Sequence, residues 1–105
     1  IGLNKEIYFM ASRKNLKKWI HIIAEELAME CYVNFMLFPN IKEEDFNSVL
    51  QKIYNLDKEF ISRANHPNGT KETKLVKNYY KSLIENFNQS VVEIANEMLS
   101  LNKNK

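Results

Sequence analysis

The sequence predicts an all-α protein, an up-down-up bundle of three long antiparallel helices, and three observations carry that reading. Apolar residues recur at steps of three and four through three long segments. The two prolines, Pro39 and Pro67, fall between those segments. Helix-favouring Leu, Lys and Glu are plentiful beside Asn and Ile, Val and Thr are sparse, and two Gly with two Pro leave few places to turn. At 105 residues, 45% apolar and 27% charged, the chain has material for one core and not for two.

Residues 1–9 show no helical period, and Met10-Ala11-Ser12 reads as a natural start. Residues 1–9 are therefore expected to be a non-core N-terminal extension, native or foreign, and residues 10–105 a single helical domain.

The first helix is expected over about 12–37. Ser12 can cap it by accepting from a free backbone N–H. Leu16, Ile20, Ile23, Leu27 and Cys31 fall on one face. In the second half, Met29, Cys31, Tyr32, Val33, Phe35, Met36, Leu37 and Phe38 leave almost no polar side. Pro39 then drives Phe38 out of helical geometry.

The second helix is expected over about 41–64. Asn40 and Glu43 have the spacing of a capping box, and Glu43, Glu44 and Asp45 suit the positive end of the helix dipole. Phe46, Val49, Ile53, Leu56 and Phe60 form its stripe. His66-Pro67-Asn68-Gly69 has the residue order of a type I turn. Thr70 can cap the third helix, expected over about 71–101, with Val76, Tyr80, Leu83, Phe87, Val91, Ile94, Met98 and Leu101 as its stripe. Poor helix formers cluster at Asn86 to Ser90, so a kink or split near 86–90 is the alternative to one continuous helix.

Short connections make successive helices antiparallel. The overfull apolar end of the first helix needs more cover than two neighbours supply. A homodimer is therefore expected, with Tyr32, Phe35 and Met36 near the contact. In the alternative, a break at Asn86 folds the third helix back over that end.

The net charge of +2 conceals a sorted distribution. The start of the first helix carries Arg13, Lys14, Lys17 and Lys18, and the start of the third carries Lys71, Lys74, Lys77 and Lys81. Up-down-up topology gathers both starts at one end, with Arg63 and His66. The opposite end collects Glu25, Glu26, Glu30, Glu43, Glu44, Asp45, Glu93 and Glu97. The basic pole reads as a solvated surface diluted by Asp57, Glu59 and Glu72. It also reads as a phosphate contact with Trp19, Tyr79 and Tyr80 as stacking partners. A third reading pairs two chains antiparallel, acidic pole against basic pole. The segment Arg63 to Gly69 is likewise either a helix end or a recognition tip.

Catalytic and metal chemistry find little footing. Cys31 is the single cysteine, which excludes an internal disulfide and a thiolate zinc site within one chain. His21 with Glu25 and Glu26 with Glu30 have the spacing of helical pairs, and the Glu-x-x-His signature of di-iron bundles is missing. Two glycines cannot build a phosphate-cradling loop. No enzymatic activity, cofactor or metal is expected. No run approaches the ~20 apolar residues of a membrane span, and the N-terminus lacks a signal pattern, so the expected compartment is the cytoplasm, without membrane contact. Asn68-Gly69-Thr70 and Asn88-Gln89-Ser90 match the glycosylation sequon and are read as coincidences.

Several segments resemble a group of small uncharacterised all-helical proteins of Bacteroidetes-type bacteria. They are Arg13-Lys14-Asn15-Leu16-Lys17-Lys18, Ala28-Met29-Glu30-Cys31, and Asn65-His66-Pro67-Asn68-Gly69 before Leu75-Val76-Lys77-Asn78-Tyr79-Tyr80. The resemblance covers about Met10 to Leu101 and implies no assigned activity, so it transfers no site residue. The leading functional expectation is a dimeric protein-interaction or adaptor protein with an unidentified protein partner. The alternative is a nucleic-acid-binding accessory protein working through the basic pole.

Overall fold

The computed structural model describes the backbone of residues 13–65 and 73–103, and the side chains of 14–65 and 77–101. Three helices make up an all-α bundle: α1 (Arg13–Leu37), α2 (Glu43–Asn65) and α3 (Thr73–Lys103). The molecule measures 52 × 29 × 18 Å.

In α1, Leu16, Ile20, Ala24, Leu27 and Cys31 are buried, a run of four- and three-residue steps that keeps one face inward. Pro39 ends it as expected. The Phe38 N–H still donates to the Asn34 carbonyl at 2.9 Å, and the Ile41 N–H donates to the Phe38 carbonyl at 3.1 Å, closing a turn with Pro39 in second position. Ile41 is buried under the end of the bundle.

That turn corrects one expectation. Helix α2 begins at Glu43, and its first carbonyl acceptor is Lys42, which takes the Phe46 N–H at 3.0 Å. Asn40 lies within the turn and cannot cap α2, so the capping box does not form. Burial of Ile41 fixes the chain before the helix starts, and Glu43, Glu44 and Asp45 are left to complement the dipole. The expected Ser12 and Thr70 caps and the 66–69 turn lie outside the described residues.

Helix α2 buries Phe46, Val49, Ile53, Leu56, Phe60 and Ala64. Its last-turn carbonyls have no intrahelical donor, and α3 supplies two. The Tyr79 hydroxyl donates to the Arg63 carbonyl at 2.8 Å, and the buried Tyr80 hydroxyl donates to the Ala64 carbonyl at 3.4 Å.

Helix α3 runs unbroken through Asn86 to Ser90. Poor helix formers cost only a few tenths of a kcal/mol each, and Phe87 offsets them. Its ring is fully buried, edge-on to Trp19 of α1 at 5.1 Å and to Phe60 of α2 at 5.3 Å. One side chain thus joins all three helices, and a fold-back over the end of α1 does not occur.

The register follows from these contacts. Trp19 meets Phe87, while Cys31 and Phe35 share a small cavity with Ile41, Phe46, Met98 and Leu101, so α1 and α3 run parallel. Helix α2 runs against both. The α1–α2 seam is the most extensive and the α1–α3 seam the thinnest.

Candidate interaction surface

Helix α1 is apolar on two sides. Opposite its buried stripe, Ile22 is 42% exposed, Met29 65%, Val33 43% and Met36 76%. Together with Glu26 these positions advance by four, three, four and three residues, the rhythm of a helix-packing seam. Leu37 adds a further exposed apolar side chain at the end of α1. Val92 and Leu99 of α3 are exposed as well, and the parallel register brings them level with the second half of α1.

The three residues expected at a dimer contact part ways here. Met36 lies on the open face. Tyr32 is half exposed, with its ring edge-on to Phe46 at 5.2 Å. Phe35 is turned inward and stacked on Phe46 at 4.2 Å, so its main task is to hold α1 on α2 within the chain. Ile22, Met29 and Val33 extend the face and were not singled out from the sequence as a set. The signal was present in their spacing, but the inward stripe has the same period.

The basic pole is more sparsely built than its residue types imply. Lys14, Lys18 and Lys77 are exposed and Lys17 is half-buried. Arg63 pairs with Glu59 one turn earlier and lies 4.8 Å over the Phe60 ring. Arg13 and Lys74 stand in the first turns of α1 and α3, with side chains outside the described set. His66 and Lys71 lie outside the described residues. The aromatic residues proposed for stacking are used internally: Trp19 is half-buried against Phe87, and the tyrosine hydroxyls are spent on α2.

Apart from Arg63 with Glu59, the ion-pair contacts among the described residues lie along the middle of the bundle. His21 sits 3.7 Å from Glu25 and 3.2 Å from Asp57 of α2, and Lys52 of α2 reaches Glu97 of α3 at 2.6 Å. Among the described residues, Lys14, Lys17, Lys18, Glu26, Glu30, Glu43, Glu44 and Asp45 form no ion pair. Lys14 and Lys18 at one end and Glu43, Glu44 and Asp45 at the other thus have no ion partner among the described residues.

Among the described residues, two grooves flank α2. The larger, about 530 Å3, lies against α3 and is lined by Lys52, Asn55, Glu59, Arg63, Asn86 and Gln89, with Leu56, Phe60 and Ile94 beneath. The smaller, about 240 Å3, lies against α1 between His21, Glu25, Tyr32, Tyr54 and Asp57. Among the described residues, no group of three His, Cys, Asp or Glu side chains is placed to hold a metal ion. Burial pushes the Cys31 thiol above its ordinary value, away from the thiolate that nucleophilic chemistry needs. Among the described residues, no helix is long and apolar enough to cross a membrane.

No family model, curated protein or solved structure matches this chain.

Proposed function

We propose that this protein is a non-catalytic helical interaction protein that acts as a homodimer through the outer face of α1. The observation that carries the reading is the exposed stripe of Ile22, Met29, Val33 and Met36, set directly opposite the buried stripe of the same helix. A helix that is apolar all round belongs inside a larger packed structure, and three helices of one chain cover only one of its two sides. Contiguous exposed apolar surface of this kind marks contact sites. The basic pole supports the nucleic-acid reading less well, because Trp19 packs against Phe87 and the Tyr79 and Tyr80 hydroxyls are committed to carbonyls of α2.

Sedimentation equilibrium tests the proposal. The wild-type chain is expected to dimerise, and the double substitution Met29→Glu with Val33→Glu to give a monomer with unchanged helical circular dichroism. Both residues are exposed, so the bundle itself should tolerate the change. A wild-type monomer at every concentration measured would overturn the reading, as would a double variant that dimerises as well as wild type.

A further inference from the structure

We infer that the second copy lies antiparallel, with the basic start of one α1 against the acidic start of its partner's α2. The inference rests on the α1 face proposed above and adds the orientation and the charges that select it.

Orientation is the open question because an apolar stripe alone allows two. In a parallel pair each stripe residue meets itself, which sets Glu26 against the partner's Glu26 in the middle of the seam. Like charges so placed are unfavourable. A parallel pair also gathers Lys14 and Lys18 of both copies at the end where α1 begins. Helix α1 compounds this, since its first turn has no acidic residue and its last turn no basic one. Its dipole is uncompensated by side chains at both ends.

An antiparallel pair relieves all three problems. With the two-fold axis beside Met29, Ile22 faces the partner's Met36, and the two Glu26 residues are set on either side of the axis, roughly 9 Å apart along the seam. Lys18 and Lys14 then reach past the last turn of the partner's α1, where the dipole is negative and no basic residue of its own chain sits. Immediately beyond that turn, Glu43, Glu44 and Asp45 open α2.

The flanks agree as well. Lys14, Lys18, His21, Glu25 and Tyr32 follow one another at helical spacing along one side of the stripe. His21, Glu25 and Tyr32 line the groove shared with α2, so this is the side turned toward α2. Two-fold symmetry brings like flanks together in an antiparallel pair, so each lysine flank arrives on the side where the partner's α2 begins. Neither the lysines nor the α2 carboxylates have ion partners among the described residues.

A charge exchange between two variants tests this. One variant carries Lys14→Glu and Lys18→Glu, and the other carries Glu43→Lys and Glu44→Lys. In an antiparallel dimer each variant alone sets like charges together at both ends of the seam. Each homodimer is therefore expected to weaken about 100-fold at low ionic strength. A mixture of the two restores opposite charges at both ends, so it should associate as tightly as wild type. In 1 M salt, where the screening length is about 3 Å, the differences should collapse. Circular dichroism of each variant confirms that the helices persist. If wild type dimerises and neither variant weakens, or the mixture fails to recover, the orientation is wrong while the α1 face stands. A monomeric wild type removes the face itself, which separates the two failures.

Discussion

Replacing Phe87 with alanine is the most direct test of how the three helices are joined. The ring is fully buried and lies edge-on to Trp19 and Phe60, so its removal opens a cavity bounded by all three helices. Phe→Ala in a core costs about 3–5 kcal/mol, including the cavity that remains. Alanine's better helix propensity in the weak Asn86–Ser90 stretch returns about 0.5 kcal/mol. A net loss of about 3.5 kcal/mol is a large share of the roughly 5–15 kcal/mol that a domain this size holds. With a urea m-value of about 1.5 kcal/mol/M, the midpoint should fall by about 2 M. The single tryptophan, Trp19, touches the ring being removed, so its emission and the 222 nm circular dichroism report the same transition independently. Val92→Ala, five residues along the same helix and exposed, should change stability by less than about 0.5 kcal/mol. A Phe87→Ala cost below about 1 kcal/mol would refute the claim that this ring is the common junction.

Two further perturbations address smaller features. Tyr80→Phe removes one long hydrogen bond to the Ala64 carbonyl while keeping the buried ring, and should cost about 0.5–1 kcal/mol by urea unfolding. A neutral result would mean that the hydroxyl does not serve the end of α2. Cys31 supplies a pH test. Burial raises its folded-state pKa above the unfolded value, so its contribution is complete below the usual thiol range near about 8.5 and is lost as pH rises through the folded pKa. Wild type should therefore lose more stability than Cys31→Ala between neutral and alkaline pH, and identical pH profiles would show that the thiol is not effectively buried.

The fold was legible because burial in each helix follows a single arithmetic. Leu16, Ile20, Leu27 and Cys31, then Phe46, Val49, Ile53, Leu56 and Phe60, are inside, with Ile23 only half-buried at the edge of its stripe, and Pro39 ends α1 as expected. Misreadings arose where a distant partner decides. Asn40 has the residue type and spacing of a cap, but Ile41 is pulled beneath the bundle and Asn40 is left in a turn. Tyr79 and Tyr80 look like surface aromatics of a basic pole until their hydroxyls are found on carbonyls sixteen residues earlier. The candidate surface was half visible for a different reason. With apolar residues on both sides of α1, no amphipathic contrast separates Phe35, which stacks inward on Phe46, from Met36, which faces outward.

The tyrosine contacts at the foot of α2 also decide how the two helices are held in register. Tyr79 and Tyr80 clasp α3 to the last turn of α2 through side chains, so the alignment of these two helices is set by the clasp and the buried rings above it. The pairing of the two helices is thus written twice, once in apolar surface and once in two hydroxyl-to-carbonyl bonds, and the second fixes how far α3 can slide along α2 where the buried stripes alone would tolerate a shift of one turn.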